Sequence, residues 1–361
     1  MITKKIIQEA AKLIQQGDLV AFPTETVYGL GADALNPKAV LKIFKAKGRP
    51  SDNPLIVHIT DLKDLKILAK NIPKETYILA KKFWPGPITF VLKKQKIVPY
   101  ETTAGLETVA IRMPKHKIAK ELIKLSKTPI AAPSANKSGR PSPTDAKTVF
   151  EDFGNEIQIL DGGKTKIGLE STVLDLSEKP FTLLRKGAIS KEEIEKAINQ
   201  KIHPYRCPAG ASPSAGASLS AEASPTQKSP GLKYKHYAPK APLFLLNARI
   251  PIRALPIPIC ANSKCLLNAP IPIRALPIPI CANSRIGILC SNETTKYYKD
   301  ADLIIKAGSK KNLKKIAQNL FSNLRKFDQE KIDIIISESF EEKGIGIAIM
   351  DRLRRAATKI I

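Results

Sequence analysis

The sequence predicts an α/β protein in two parts, on three observations. From Ile2 to about Gln200, apolar runs of strand length alternate with stretches whose apolar residues recur at helical spacing. From Pro204 to Pro230 the chain turns to Ala, Ser, Pro and Gly without apolar periodicity, as a linker does. After about Ala241 the strand and helix patterns resume, with length enough for a smaller second core. The expected division is therefore 1–200, a linker over 201–240, and 241–361.

The first element is an amphipathic helix with Ile6, Ala10, Leu13 and Ile14 on one face. Glu9 within it argues against a secretion signal. Leu19–Phe22 suits a buried strand. Pro23–Gly31 then gathers Thr24, Thr26, Tyr28, Glu25 and two glycines into what reads as one turn region. Asn36-Pro37 opens a helix as cap and first-turn proline, and Val40, Ile43 and Phe44 give it an apolar stripe. Gly48 ends that helix between Lys47 and Arg49, and Pro54–Ile59 reads as a strand carrying His58. Further strands are expected at Ile88–Leu92, Val109–Arg112, Ile130–Ala132, Ile157–Leu160, Thr172–Leu176 and Thr182–Leu184. Ser142-Pro143-Thr144-Asp145 reads as a helix start with Ser142 as cap, and Ser190 with Glu193 forms the same box on the last helix. In the second part, Leu243–Leu246, Ile286–Cys290 and Ile332–Ile336 read as strands, and Asn312–Phe327 and Ile345–Ala357 as helices. Gly344-x-Gly346 lacks the spacing of a dinucleotide fingerprint.

IPIRALPIPICANS occurs at Ile250–Ser263 and again at Ile271–Ser284. Alternating Pro and Ile sustain neither a helix nor a central strand, and two copies are too few for a solenoid. Residues 250–284 therefore read as an extended insertion. The net charge of +26, from 59 basic and 33 acidic residues, points to anionic partners, nucleotide or nucleic acid. A lysine-rich proteome would give the same figure. Cys207, Cys260, Cys265, Cys281 and Cys290 form no C-x-x-C pair, so free thiols in a reducing cytoplasm are expected. No apolar stretch reaches the ~20 residues of a membrane span.

Polar side chains cluster at the ends of elements with apolar bodies, as a small-molecule site on an α/β sheet requires. For a nucleoside triphosphate, the cations placed to meet phosphates are Lys47, Arg49, Arg112 and Arg185. Lys47 and Arg49 also stand where any helix C-terminus favours a cation. There is no G-x-x-x-x-G-K-[ST], which excludes a P-loop. Ser134, Asn136 and Ser142 lie in a loop beyond Ile130–Ala132 and suit either a ligand or helix capping. Taken alone, His58 fits a satisfied core position and Thr26 a turn. No Ser-His-Asp or Cys-His set is evident, so no covalent enzyme intermediate is expected.

PTETVYGLG, then K-x-R at Lys47 and Arg49, NPLIVHI at Asn53–Ile59 and S-x-N at Ser134 and Asn136, resembles the YrdC-type threonylcarbamoyl-adenylate synthases over roughly Ile2–Gln200. GIGIAIMDRLRRAA resembles the C-terminal domain of their long, two-domain form. The resemblance implies a YrdC-like twisted mixed sheet with flanking helices, followed by a Rossmann-like domain. It implies that L-threonine, bicarbonate and ATP give threonylcarbamoyl-AMP and pyrophosphate, with Mg²⁺ carried by the triphosphate. Thr26, His58, Arg112, Ala132 and Ser171 match positions that contact L-threonine. Ala132 stands where some relatives carry threonine, so that hydroxyl is missing here. Arg49, Asn53, Thr108, Ser134, Asn136, Ser142 and Arg185 match nucleotide contacts, with Lys47 and Arg49 as the catalytic cations. In two-domain members a segment like Ser229–Pro239 folds over the nucleotide, which places Tyr234 among the ATP contacts. The product would pass to threonylcarbamoyl transferase machinery acting on tRNA. The alternative is a module of the same type that holds tRNA or double-stranded RNA without turnover. A carbamoyl-transfer enzyme of hydrogenase maturation would add acylphosphatase-like and zinc motifs, which this sequence lacks.

Overall fold

The structure, a computed structural model, describes residues 3–205, 237–246, 283–298 and 301–361. Tyr234, the linker stretch from 206 to 236 and nearly all of the duplicated 250–284 segment lie outside the described residues. The chain divides into two compact units between Lys235 and His236.

The strands of the first unit are β1 (Val20–Phe22), β2 (Gly29–Asp33), β3 (Ile56–His58), β4 (Ala69–Lys70), β5 (Ile88–Lys94), β6 (Thr108–Arg112), β7 (Ile130–Ala131), β8 (Gln158–Ile159), β9 (Thr172–Asp175), β10 (Thr182–Arg185) and β11 (His203–Pro204). Around them lie α1 (Lys4–Gln15), α2 (Pro37–Lys47), α3 (Asp64–Leu68), α4 (Lys74–Phe83), α5 (Tyr100–Thr103), α6 (Lys117–Ser126), α7 (Ala146–Phe153) and α8 (Lys191–Ile198). The strands form one sheet in the order β11-β10-β9-β5-β6-β3-β7-β2-β1-β8, with β4 paired to β5. Pairs β3–β6, β5–β9, β1–β8 and β10–β11 are parallel and the rest antiparallel, so the sheet is mixed as expected.

Alternation along each strand sorts residues onto two faces. Val57, Phe90, Leu92, Val109 and Ile111 enter the main core. Ile56, Val91, Ala110, Val173 and Leu184 form a separate, smaller cluster. By the same parity His58, Thr89, Thr108 and Arg112 share the face of that smaller cluster, so the sheet presents an apolar floor edged by polar side chains.

Local sequence explains most element ends. Asn36 Oδ1 accepts from Ala39 N, Pro37 is the first helical residue, and Gly48 closes α2 at φ +60, a backbone that suits glycine. The Ser190–Glu193 capping box on α8 is present in both directions. Two readings need correction. Pro23–Gly31 is not a single turn, because Gly29–Asp33 is a strand antiparallel to β1. Its glycines hid it from a propensity reading, yet packing demands one of them. A Cβ on Gly31 would lie 2.7 Å from both Ile130 and Phe22. Ser142 does not cap the following helix either. Asp145 does, its Oδ1 accepting from Thr148 N at 2.9 Å and Thr148 Oγ1 at 2.6 Å, while Ser142 donates to Glu170 Oε1 at 2.6 Å. Asp145→Ala is therefore expected to cost about 1 kcal/mol. That is a fall of roughly 2–4 °C in the melting midpoint followed by circular dichroism.

The second unit comprises β12 (Leu243–Leu245), β13 (Ile286–Ser291), β14 (Leu303–Gly308), α9 (Leu313–Gln329), β15 (Ile334–Ser337), α10 (Ile345–Ala356) and β16 (Lys359–Ile360). Its sheet is parallel throughout, in the order β14-β13-β15-β12-β16. Strands β14 and β16 escaped the sequence reading, since each is an edge strand and β16 spans two residues. Of the apolar stripe that the spacing predicts for α9, Ile316, Leu320, Phe321 and Leu324 are buried, and Leu313 at the first turn is half-buried. Glu338, just past β15, is buried and accepts from Ser291 N, Thr294 Oγ1 and Tyr298 OH. Cys290 is a free buried thiol, and the other four cysteines lie outside the described residues. No described helix is long and apolar enough to cross a membrane.

Candidate functional site

The Pro23–Tyr28 loop is clasped on two sides by backbone hydrogen bonds. Tyr28 N donates to Pro143 O at 2.9 Å and Ala135 N to Tyr28 O at 2.8 Å, which ties the loop to the segment bearing Ser134 and Asn136. Gly168 N donates to Thr26 O and Ile167 N to Glu25 O, which ties it to the segment leading into β9. Motifs separated by more than a hundred residues thus meet at one place.

Arg112 ends β6 and is the centre of the first group. Its Nη1 donates to Thr26 Oγ1 at 2.9 Å, its Nε to Gly86 O at 3.3 Å, and its Nη2 lies 2.8 Å from Glu25 Oε1. Both charged side chains are buried, with 4% and 5% exposure. The adjacent strand β3 sets His58 opposite Arg112 in register. The His58 Nδ1 lies 3.1 Å from Ile56 O, and the Phe22 ring meets the imidazole edge-on at 5.9 Å. Burial first, and then the Arg112 charge, lower the His58 pKa to about 3, so the ring is neutral at pH 7. Ala132 is buried just past β7, and its amide donates to Ile56 O, the same carbonyl that the His58 ring approaches. Ser171 Oγ is 2.7 Å from Thr89 Oγ1 and accepts from Arg185 Nη2 at 3.0 Å, while Arg185 Nε donates to Ser171 O at 2.9 Å.

The lowered His58 pKa has a measurable sign. Above the ordinary value of 6.5 the ring is neutral in folded and unfolded chains alike. As pH falls through 6.5 toward about 3, the unfolded chain takes the proton first, and folding stability drops. The slope is up to about 1.4 kcal/mol per pH unit. His58→Asn is expected to flatten the decline in urea midpoint between pH 7 and pH 5; equal slopes for both proteins would contradict this.

A second group forms around α2. Lys47 is buried at its last turn and donates to Ser134 O at 2.5 Å and to Asn136 O. Asn136 Nδ2 donates to Lys137 O and Arg140 O, which leaves its Oδ1 buried with no hydrogen-bond partner among the described residues. Asn53 Nδ2 is in the same condition. Arg49 Nη2 donates to Asn53 O at 3.2 Å and Pro54 O at 3.3 Å. Buried polar atoms normally find partners, so the two asparagines suit a ligand. Ser142 joins through Glu170, next to Ser171. Thr108 stands apart at the other end of β6, roughly 13 Å from Arg112 at the usual rise per residue.

Four residues here were given no role in the site by the sequence: Glu25, Thr89, Thr144 and Glu170. Thr144 Oγ1 is buried and unpartnered among the described residues. Glu25 was visible as a carboxylate within PTETVYGLG, but its partner lies 87 positions on, beyond any local pattern. Among the described residues no group of three His, Cys, Asp or Glu is placed to hold a metal ion.

Comparison with known proteins matches both units. Residues 12–187 match the Sua5–YciO–YrdC family, described as telomere recombination, and residues 189–358 match the threonylcarbamoyl-AMP synthase C-terminal domain. A threonylcarbamoyl-AMP synthase of Pyrococcus abyssi is 47% identical over 97% of this chain and 94% of its own length. One from Bacillus subtilis is 45% identical over 97% of this chain and 92% of its own. The crystal structure of P. abyssi Sua5 complexed with L-threonine superposes with a TM-score of 0.82 at 45% identity, covering 100% of this chain and 97% of that one.

Proposed function

The chain belongs to the threonylcarbamoyl-AMP synthase family, and on that premise we propose how its residues share the reaction. The protein uses ATP and L-threonine to make threonylcarbamoyl-AMP with release of pyrophosphate. Bicarbonate supplies the remaining carbon. The threonine amine attacks it to give a carbamate with loss of water. A carbamate oxygen then attacks the α-phosphate, and pyrophosphate departs.

L-Threonine is held by Thr26, His58, Arg112 and Ser171, with Ala132 offering only a methyl surface. Arg49, Asn53, Thr108, Ser134, Asn136, Ser142 and Arg185 hold ATP, and Lys47 and Arg49 face the phosphates. The observation that carries this reading is the Lys47 ammonium bound to Ser134 O and Asn136 O, which joins the K-x-R and S-x-N motifs into one cationic rim. Catalysis then rests on holding the reactants in line while cations meet the charge that develops on phosphate. Mg²⁺ travels with the triphosphate and its waters, which asks for few protein ligands. The product serves the threonylcarbamoyl modification of tRNA carried out by other proteins in the cytoplasm.

The test is pyrophosphate release from purified protein with ATP, Mg²⁺, L-threonine and bicarbonate, each omitted in turn. Release that needs all four is expected. Release with ATP and Mg²⁺ alone would make the protein a hydrolase. A folded protein that binds RNA in a salt-sensitive way and releases nothing would favour the RNA-holding module that the charge of +26 also suits.

A further inference from the structure

Glu25 is a buried carboxylate, 4% exposed, that the proposed reaction does not use. Its Oε2 accepts from Lys115 N at 3.0 Å, which fixes the side chain against the segment after β6. Its Oε1 lies 2.8 Å from Arg112 Nη2, but neither atom has an aligned hydrogen bond, so charge rather than N–H direction holds the two together. Arg112 is thus restrained at three nitrogens: by Gly86 O at Nε, by Thr26 Oγ1 at Nη1 and by Glu25 at Nη2.

The hydroxyls beyond Arg112 form a short buried series. Thr24 Oγ1 donates to Val27 O at 2.6 Å, which uses its one hydrogen. Its two lone pairs face Thr26 N at 3.2 Å and Val27 N at 3.3 Å, so the 2.8 Å contact between the two hydroxyls has no fixed direction. Thr26 Oγ1 already accepts from Arg112. Arg112 thus takes one lone pair of Thr26 Oγ1, and the hydroxyl keeps its hydrogen and a second lone pair for Thr24 or a ligand. His58 stands opposite Arg112 on the adjacent strand. Arg112 presents Nη1 to Thr26, and the Glu25 charge beside Nη2 holds that roll of the guanidinium.

We propose that Glu25 is the positioning residue of the L-threonine subsite: it sets the orientation of Arg112, and through Arg112 the placement of the Thr26 hydroxyl, without touching substrate. This rests on the reading that Arg112 and Thr26 hold L-threonine. Removal of one partner from a buried ion pair leaves an uncompensated charge that turns toward another partner. A shift of about 1 Å in a positioned reactant costs on the order of a hundredfold in rate.

The experiment measures L-threonine binding by calorimetry, and KM for L-threonine and for ATP by pyrophosphate release, on Glu25→Gln, Arg112→Lys and the double variant. Glu25→Gln is expected to lower kcat/KM for L-threonine by roughly 10- to 100-fold with KM for ATP changed less than about twofold. In the Arg112→Lys background the same change is expected to have less than about a threefold effect, because the group it positions is gone. Effects that multiply independently, or KM values for both substrates rising together, would overturn the proposal. Unchanged L-threonine binding in Arg112→Lys alone would instead overturn the underlying site reading. Should Glu25→Gln fail to fold, Glu25→Asp keeps the charge but withdraws it by one methylene. A selective loss for L-threonine is expected there too, and wild-type kinetics would overturn the proposal.

Discussion

Lys47→Met is expected to reduce pyrophosphate release by roughly 10²–10³-fold, the scale of removing one preorganised donor from a charge-stabilising site. The ammonium is buried, and it is charge-assisted toward Ser134 O and Asn136 O. A thioether of similar length fills the space but donates nothing. Asn136 O then loses its charged donor, while Ser134 O keeps only Asn136 N at 3.0 Å. The loop bearing Asn136 Oδ1 loosens as well as losing a cation, so KM for ATP should rise along with the fall in kcat. A variant within threefold of wild type in both would remove Lys47 from the phosphate side.

Arg112→Met is expected to destabilise the first unit by about 3 kcal/mol or more, because it strands the Glu25 carboxylate in a dry site. At roughly 2–4 °C per kcal/mol for a unit of this size, the midpoint falls by about 6–12 °C. L-Threonine binding should vanish with it. The informative companion is Glu25→Gln/Arg112→Met. A neutral pair costs far less than a stranded charge, so the double variant should regain most of the lost stability and none of the L-threonine binding. Equal melting points for single and double variants would mean that solvent reaches Glu25 in the unfolding-relevant state. The ion pair would then contribute little.

Much of this was legible in the sequence, for identifiable reasons. Helix α2 announced itself through a cap, a proline and a terminal glycine, each of which acts within a few residues. Strands β5 and β6 were readable because their apolar residues sit where the burial pattern needs them. Strand β2 was not, because its glycines answer to the Phe22 ring and Ile130, contacts made only once the sheet exists. Ser142 looked like a cap because its neighbours Pro143, Thr144 and Asp145 all suit a helix start. Glu170, 28 positions beyond Ser142, takes the serine hydroxyl, and Asp145 is the cap. In the site, the cations and the S-x-N loop stood out by residue type. The Glu25 link did not, since a carboxylate in a loop is ordinary until its partner on another strand is known.

The strand order of the second unit has a consequence for the order of assembly during synthesis. Strand β12 is the first of its sheet to be made, yet it pairs only with β15 and β16, the last two. Its edges therefore stay uncovered until nearly the whole chain has left the ribosome, whereas β13 and β14 can pair as soon as both emerge. The same wait makes added length between Leu245 and Ile286 inexpensive. Doubling the connection from β12 to β13, which crosses one intervening strand, adds only about 0.6 kcal/mol of closure entropy. A tandem copy of 21 residues in a connection of roughly 40 is close to such a doubling, so the gene could acquire IPIRALPIPICANS twice without forfeiting the fold.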